Sequence, residues 1–315
     1  MKKLLIFASK QTEMEVQPKI SVIIPVHNEG EHLSLCLDSL LNNLEKEIEI
    51  IVVNDGATDN SLTIAHRYAE AHDCIKVLTQ PQSGVCIARN NGLTHAVGEF
   101  VTFVDGDAFV DEHLIDHYLM LQGEGDYDMV ICGISKNRKS ARRVQKEFDQ
   151  EGMLYNLFDD PYYSDNTYVW NKLYRTQIIK RNRVQFEPQY GYNADRMFNF
   201  QYMRHATKAL FNNQSYYHCV VRKASIVTRD LKQQNYGALA GFERMHYYSR
   251  KYSQRLQKAI AKHFCSYAMS VCKTNPTMRD EILPKIKQFL PLLSGLPKLK
   301  CQLFLASPSV FKNIV

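Results

Sequence analysis

The stretch "ISVIIPVHNEGEHLSLCLDSLL" (residues 20–41) decides the fold class, because it joins two different hydrophobic periods. Its first seven residues are almost continuously apolar and rich in β-branched side chains, which predicts a strand covered on both faces. From residue 31 onward the leucines recur at spacings of three and four, as in an amphipathic helix. This unit therefore predicts a strand followed by a helix in an α/β protein.

The same alternation continues to about residue 105. Further strands are predicted at 48–54, 75–80 and 98–104, and further helices at 60–72 and 84–97. Four buried strands joined by helices predict a Rossmann-like, mainly parallel central sheet with helices on both faces. Mostly helical periodicity after residue 231 adds a helical C-terminal extension. The expected organisation is one domain at 20–230, with halves at 20–112 and 113–230, followed by a helical region at 231–315.

The composition is that of an ordinary globular protein. The chain has 315 residues, of which 45% are hydrophobic and 23% charged, and these values argue against disorder. No run approaches the roughly 20 apolar residues of a transmembrane helix. The five apolar residues in "MKKLLIFASKQ" are too few for a signal-peptide core. Eight cysteines without a C-x-x-C pair predict reduced, structural thiols, so the expected location is the cytoplasm.

The net charge of +6 is unevenly distributed, because lysine and arginine become more frequent after about residue 136. This asymmetry suits phosphate-bearing ligands or an anionic surface, with a solvated basic face as the alternative. The apolar tail "IKQFLPLLSGLPKLKCQLFLASPSVFKNIV" (286–315) contains scattered lysines. It fits short helices that either pack on the body or lie on a membrane surface. Peripheral contact with the inner face of the membrane is therefore a further expectation.

Polar residues gather where three of the predicted strands end. They are Pro25, His27, Asn28 and Glu29 after the first strand, Asn54, Asp55 and Gly56 after the second, and Asp105, Gly106 and Asp107 after the fourth. Each group alone is also an ordinary turn. Because the carboxyl ends of parallel strands meet at one edge of a sheet, the three groups predict a single ligand-binding crevice.

The two acids in "FVTFVDGDAFV" (100–110) need an explanation. At a separation of about 4 Å, two ionised carboxylates repel by roughly 4 kcal/mol in a protein-surface dielectric. They require free solvation, a shared proton or a cation. No G-x-x-x-x-G-K-[ST] or G-x-G-x-x-G loop is present, which disfavours an ordinary ATPase or a dinucleotide dehydrogenase. Mg²⁺ or Mn²⁺ held by Asp105 and Asp107 would neutralise a diphosphate instead.

Four blocks resemble, in order, those of family 2 glycosyltransferases, which have the GT-A fold. They are "ISVIIPVHNEGEHLSLCLDSLL", "VVNDGATDNS", "SGVCIARNNGL" and "FVTFVDGDAFV". The resemblance implies a nucleotide-sugar donor, usually UDP-linked, bound by residues that include Pro25, Asn28, Glu29 and the D-x-D motif Asp105, Gly106 and Asp107. It implies that Asp55 accepts a hydrogen bond from uracil and that Arg89 lies beside the base or diphosphate. His27 stands where the family often has tyrosine, and an imidazole stacks on a base with less area.

The second half of the chain must supply a group that deprotonates the acceptor. The block "FEPQYGYNADRMFNFQYMRHA" (186–206) resembles the family segment that carries this base, and the resemblance assigns the role to Asp195. The alternative is that Asp195 only caps a helix beginning at residue 196. Ala194 stands where the family has glutamate, which removes one carboxylate from the site.

Two more segments, "YVWNKLYR" (168–175) and "YYHCVVRKASIV" (216–227), resemble later blocks of the family. Trp170 is expected to stack on an acceptor sugar, with core packing as the alternative. His218 is expected to complete the coordination of the cation, and Arg222 to face phosphate, with a packed histidine as the alternative. The pair His113 and His117 has zinc-compatible spacing but no evident third ligand, so a charged helix start is the preferred interpretation.

The resemblance thus implies an inverting, hexosyltransferase-type enzyme of cell-surface polysaccharide biosynthesis. It would move a sugar from a nucleotide diphosphate sugar to a glycan or lipid-linked acceptor, and nucleic acid is not an expected partner. A glycosidase is disfavoured, because it needs two carboxylates flanking the scissile bond and no nucleotide crevice. Two alternatives stay open: a nucleotide-sugar-binding protein without turnover, motivated by Ala194, and a sugar nucleotidyltransferase. The second usually has a glycine-rich basic loop, which "PVHNEGEHL" lacks.

Overall fold

The computed structural model describes residues 17–43, 48–133, 144–159, 167–219 and 236–307. The strands are β1 Ile20–Val26, β2 Ile48–Asp55, β3 Ile75–Gln80, β4 Phe100–Phe103, β5 Ala108–Val110, β6 Met129–Cys132, β7 Gln145–Asp149, β8 Lys172–Arg175, β9 Lys208–Asn212 and β10 Tyr217–Cys219. The α-helices are α1 Leu33–Leu41, α2 Ser61–Ala71, α3 Val85–His95, α4 Leu114–Gly123, α5 Gln150–Asn156, α6 Thr176–Asn182, α7 Ala194–Met203, α8 Gly237–Ser249, α9 Gln254–Thr274, α10 Arg279–Phe289 and α11 Gly295–Ala306. Short 3-10 helices occupy Pro188–Asn193, Pro276–Met278 and Leu290–Leu292.

Eight strands form one sheet in the order β3-β2-β1-β4-β8-β6-β9-β7. The first four pair in parallel, and so do β6 and β9. β8 runs antiparallel between β4 and β6, and β7 runs antiparallel to β9. β5 and β10 form a separate antiparallel pair. The predicted mainly parallel sheet is confirmed, and its antiparallel strands lie in the half of the sheet built after residue 112.

The near-continuous apolar runs of β1 and β2 follow from burial on both faces. Alternate residues of β1 belong to different clusters, so Val22 and Ile24 pack with Leu33 of α1, whereas Ile23 packs in the cluster that contains Ala88 of α3. Side chains of a strand point alternately to the two faces of the sheet. Helices therefore cover both faces, as the sequence predicts.

The packing of α3 against β1 is unusually close. A Cβ atom added at Gly92 would lie 2.4 Å from Cγ2 of Ile23. Such a distance is well inside van der Waals contact, so a side chain at this position would push the helix away from the sheet. Glycine thereby sets the height of α3 above β1, and α3 carries Arg89, one of the predicted site residues.

The C-terminal helices pack on the body through one face each. The longest, α9, contacts α5, α8, α10 and α11, while Cys301 and Phe304 of α11 are buried. The predicted boundary at residues 230 and 231 lies outside the described residues. No helix in the described ranges has the combination of length and apolar character that crossing a membrane requires. All eight cysteines are free thiols.

Candidate functional site

The loops that follow β1 and β2 are tied together by short hydrogen bonds. Asn28 adopts a left-handed backbone conformation with φ of 58°, which asparagine tolerates better than most residues. Its Oδ1 accepts hydrogen bonds from the backbone N–H of Thr58 at 2.8 Å and of Asp59 at 3.3 Å. The backbone N–H of Glu29 donates to Oγ of Ser61 at 2.8 Å. The structure therefore brings the polar ends of the first two strands together, as predicted.

Asp55 lies at the end of β2 and is only 4% exposed. Its Oδ1 accepts hydrogen bonds from Nε2 of Gln80 at 2.8 Å and from the backbone N–H of Ser83 at 2.7 Å, and its Oδ2 accepts from the N–H of Gly84 at 2.8 Å. A carboxylate offers about four acceptor positions. One position on Oδ2 is thus left, and the other three hold the loop between β3 and α3.

His27 is oriented by the same strand end. Its Nδ1 lies 2.8 Å from the backbone oxygen of Asp55, and because a carbonyl can only accept, Nδ1 carries the hydrogen. In the neutral ring, Nε2 then accepts from the side-chain amide of Gln82 at 3.2 Å. The imidazole plane is therefore fixed at the mouth of the crevice beside Asp55.

The loop of the D-x-D motif packs against the loop after β1. A Cβ atom at Gly106 would lie 3.2 Å from Cγ of Glu29 and 3.4 Å from the backbone oxygen of Pro25. The backbone N–H of Asp105 donates to the hydroxyl of Tyr217 at 3.0 Å. Glycine at 106 therefore lets the two loops approach closely while the carboxylates of the motif stay partly exposed.

Arg89 joins the two halves of the crevice. Its Nη1 donates to Oδ1 of Asp195 at 2.8 Å, and its Nη2 donates to Oδ1 of Asp105 at 2.9 Å. The side chain is about 5% exposed and also lies over the ring of Phe186, with 5.3 Å between the guanidinium carbon and the ring centroid. Burial opposes the charged form, but Asp195 and Asp105 outweigh it and raise the pKa of Arg89. We call Arg89, Asp105 and Asp195 the arginine bridge.

Asp195 lies in the first turn of α7, and the residue that precedes the helix is Asn193. The alternative that Asp195 caps the helix is therefore wrong. Burial raises the pKa of the Asp195 carboxyl although the charge of Arg89 opposes this shift. Lys172, fully buried nearby, also opposes it; its Nζ donates to the backbone oxygen of Tyr168 and to Oδ1 of Asn171.

Trp170 does not have the predicted position. Its ring is stacked on Tyr168 on one side, with centroids 5.2 Å apart, and on Tyr217 on the other, with centroids 4.3 Å apart. The side chain is only 6% exposed, so neither face is left for a sugar ring. The predicted stacking on an acceptor is corrected to a packing role: Trp170 supports Tyr217, whose hydroxyl accepts the hydrogen bond from Asp105.

His218 lies on β10, opposite Phe109 of β5, and the two rings stack with centroids 4.8 Å apart. No group of three or more His, Cys, Asp or Glu side chains within the described ranges is arranged to hold a metal ion. The structure thus does not assemble His218 with Asp105 and Asp107 into a three-ligand set. Arg222 lies outside the described residues.

The pair His113 and His117 separates in the structure. His117 is buried against Tyr216, whereas His113 is exposed and lies 3.7 Å from Glu112. The charged helix start preferred from the sequence therefore describes His113, and His117 is part of the core.

Sequence reasoning missed three contributors to the site. Tyr217 anchors Asp105, Lys172 lies near Asp195, and the segment 80–84 satisfies Asp55. The only indication of Lys172 in the sequence is its position in the family-like block "YVWNKLYR". Tyr217 carries no local signal, because its partner is 112 residues away in the chain.

Comparison with known proteins agrees with this architecture. The chain resembles the uncharacterized glycosyltransferase EpsJ of Bacillus subtilis (strain 168), with 27% identity over 287 residues that cover 87% of this chain and 83% of the relative. Its fold is similar to that of S. aureus TarS 1-349, solved with UDP-GlcNAc. The TM-score is 0.66 at 17% identity, and the match covers 93% of this chain and 88% of TarS 1-349. The fold is also similar to that of the mannosyltransferase PcManGT from Pyrobaculum calidifontis, solved with GDP-Man and Mn²⁺. The TM-score is 0.58 at 16% identity, and the match covers 95% of this chain and 82% of PcManGT.

The sequence profile of glycosyl transferase family 2 matches residues 21–211, which is more than half of the chain. The matched range runs from β1 into β9 and includes α1 to α7 and all three members of the arginine bridge. The chain therefore belongs to glycosyl transferase family 2 and is a glycosyltransferase.

Proposed function

We propose that the protein transfers a sugar from a nucleotide diphosphate sugar to a glycan or lipid-linked acceptor with inversion at the anomeric carbon. The arginine bridge carries this proposal, because it fixes an acid of the D-x-D motif and the candidate base at one point of the crevice. Residues 20–112 would hold the donor and residues 113–230 the acceptor. The reaction would serve the synthesis of cell-surface polysaccharide.

The donor is assigned to the crevice between the ends of β1, β2 and β4. The remaining acceptor position on Oδ2 of Asp55 suits the imide N–H of uracil, and His27 offers a fixed ring for the base to stack on. We therefore favour a UDP-sugar. TarS was solved with UDP-GlcNAc and PcManGT with GDP-Man, so donor panels must include both bases.

The D-x-D loop suits a hard divalent cation. Arg89 contacts Oδ1 of Asp105, which leaves the other oxygen of Asp105 and the carboxylate of Asp107 as candidate ligands. Mg²⁺ and Mn²⁺ prefer such oxygen ligands and complete their coordination with substrate phosphates and water. When bound there, the cation would neutralise charge on the diphosphate leaving group. PcManGT was solved with Mn²⁺.

Asp195 is assigned as the general base. It would accept the proton of the acceptor hydroxyl while the oxygen forms a bond to the anomeric carbon and the bond to the diphosphate breaks. Burial strengthens this carboxylate as a base by raising its pKa, and the hydrogen bond from Arg89 orients it. Arg89 also keeps a positive charge beside the departing diphosphate.

A panel of UDP- and GDP-sugars, measured by thermal shift with and without Mn²⁺, tests the donor and the cation together. We expect stabilisation by one donor, dependent on Mn²⁺ and lost in Asp107→Ala. Asp116→Ala, an acid on α4 outside the crevice, is the matched control. Stabilisation that survives Asp107→Ala would contradict the assignment.

Assays on the same purified protein distinguish a glycosyltransferase from the two alternatives, a sugar nucleotidyltransferase and a nucleotide-sugar-binding protein without turnover. A nucleotidyltransferase would release pyrophosphate from a nucleoside triphosphate and a sugar phosphate. A binding protein would be stabilised by a donor without consuming it in the presence of any acceptor. The eight free thiols suit a reducing compartment, and we assign the enzyme to the cytoplasm.

A further inference from the structure

Helix α11 is apolar on two opposite faces. Its inward face contains Cys301 and Phe304, which are buried against the body. Its outward face carries Leu296, Leu299 and Leu303, which are 63%, 51% and 52% exposed. These leucines are three and four positions apart and so form one stripe along the helix. An apolar stripe on a helix is normally buried against a partner, and the leucine stripe is exposed.

The leucine stripe is bordered by positive charge. At roughly 100° per residue, Lys300 lies about 40° from Leu296 and borders the stripe, and α11 contains no acidic residue. Residues 236–307 carry twelve lysines and arginines against three acidic residues, a formal charge of +9, whereas the whole chain carries +6. The positive charge is therefore concentrated in the C-terminal helices, and the remainder of the chain is slightly acidic.

A basic cavity lies where α9 meets the start of α11. It has a volume of about 190 Å³, and its lining includes Arg255, Lys258 and Lys262 of α9 together with Pro297 of α11. The three basic side chains are exposed. Asp159 also lines the cavity, lies 3.7 Å from Nζ of Lys262 and interacts electrostatically with Arg255, so the three basic side chains leave the lining with a net positive charge. The cavity places further positive charge at the start of the helix that carries the leucine stripe.

We propose that the leucine stripe, Lys300 beside it and this basic cavity form a surface that binds an anionic phospholipid bilayer. The leucines would enter the boundary between headgroups and acyl chains, and the lysines would extend to the lipid phosphates. Each basic residue near such a surface adds attraction. A second copy of the chain fits less well, because a twofold contact would place the same lysines against each other. The inference goes beyond the proposed reaction, since it depends only on this surface.

Vesicle co-sedimentation of the full chain tests the proposal. We expect binding to vesicles of mixed phosphatidylcholine and phosphatidylglycerol to be at least tenfold tighter than to phosphatidylcholine alone, and to weaken with salt. Replacing all three leucines by glutamine should reduce binding roughly tenfold. Lys300→Gln should reduce it roughly fivefold. Leu35→Gln on α1, at a leucine that is 50% exposed, is the matched control and should bind like the wild type.

The outcomes that would overturn the proposal are equally definite. They are no binding to anionic vesicles, equal binding to neutral and anionic vesicles, or unchanged binding by the leucine variant. A dimer of the wild type that dissociates in the leucine variant would assign the surface to self-association instead. The variants alter exposed side chains, so their melting temperature and their thermal shift with donor should match the wild type. Failure here is thus distinguishable from failure of the proposed function.

Discussion

A carboxylate lies at each end of the central sheet, and the two differ in how completely their hydrogen-bonding positions are filled. At the amino end, Glu49 of β2 accepts hydrogen bonds from Oγ of Ser21 at 2.6 Å, from the N–H of Val97 at 2.7 Å and from Nζ of Lys76 at 2.9 Å. At the carboxyl end, Asp195 has a single side-chain hydrogen-bond partner among the described residues, Arg89.

The pKa values of the two groups move in opposite directions. Burial raises the pKa of Glu49, but the hydrogen bonds from Ser21 and Lys76 outweigh it and lower the net value. For Asp195, burial prevails over Arg89 and the pKa is raised. A carboxylate whose acceptor positions are filled stabilises the fold, whereas one held by a single partner keeps an oxygen for proton transfer. The contrast separates a structural carboxylate, Glu49, from the candidate general base, Asp195.

Breaking the arginine bridge, which lies in the crevice at the carboxyl end of the sheet, should have the largest effect on stability and activity. Arg89→Met leaves Asp105 and Asp195 without their shared cation, and we expect a loss of about 3 kcal/mol in the free energy of unfolding. This loss is at the lower end of the usual range for removing one partner of a buried ion pair, because both carboxylates are partly exposed. Transfer activity should also be lost. Urea denaturation and a transfer assay measure the two effects.

Lys19→Met is the matched control for that variant. Lys19 lies 3.3 Å from Glu99, and both side chains are about half exposed, so stability should change by less than about 1 kcal/mol. Equal losses in the two variants would show that the arginine bridge is no more than a surface ion pair.

Glu49→Gln should affect only the structural end of the sheet. It removes the charge that strengthens the hydrogen bonds to Glu49, and we expect a loss of about 2 kcal/mol in the free energy of unfolding. The turnover number of the folded enzyme should be unchanged, because the crevice lies at the other end of the strands. A fall in turnover without a fall in stability would reverse the assignment of the two acids.

The pH dependence sharpens the same contrast. Because the pKa of Glu49 is lowered in the folded state, its contribution to stability is present above its ordinary value of 4.5 and is lost as pH falls through the folded value. Because the pKa of Asp195 is raised, its contribution is present below its ordinary value of 3.8 and is lost as pH rises through the folded value. Urea denaturation of Glu49→Gln and wild type across the acidic range should therefore converge at low pH.

The same shift predicts the acid limb of the rate profile. Turnover requires ionised Asp195, so it should fall as pH drops through a pKa above 3.8. A limb centred at or below that ordinary value would count against Asp195 as the base. The profile is measured at saturating donor and acceptor.

The strands and helices between residues 20 and 105 could be predicted because their signals are local. The apolar run at 20–26 and the leucine spacing that follows it define a strand and a helix without any tertiary information. Asp55 and Asp105 follow from the same logic, since they end predicted strands. The pairing of Arg89 with Asp195 could not be predicted, because the two residues are 106 positions apart. Hydrophobic periodicity predicts local secondary structure and not contacts between distant segments.

The error at Trp170 has a similar origin. An aromatic residue in an apolar segment is compatible with a sugar platform or with a core, and the choice depends on what covers its faces. Here Tyr217 comes from a strand nearly fifty positions later and covers one of them. Periodicity predicted no strand in this part of the sequence and so could not place Tyr217 beside Trp170.

Substitution of Asp195 by asparagine tests the central claim most directly. Transfer rate and donor affinity should be measured on the same preparation, with stability checked by urea denaturation. We expect the rate to fall by about 10²- to 10⁴-fold, with donor affinity unchanged and stability within about 1 kcal/mol of the wild type, since Arg89 still pairs with Asp105. A variant that binds donor and transfers sugar at the wild-type rate would contradict the account.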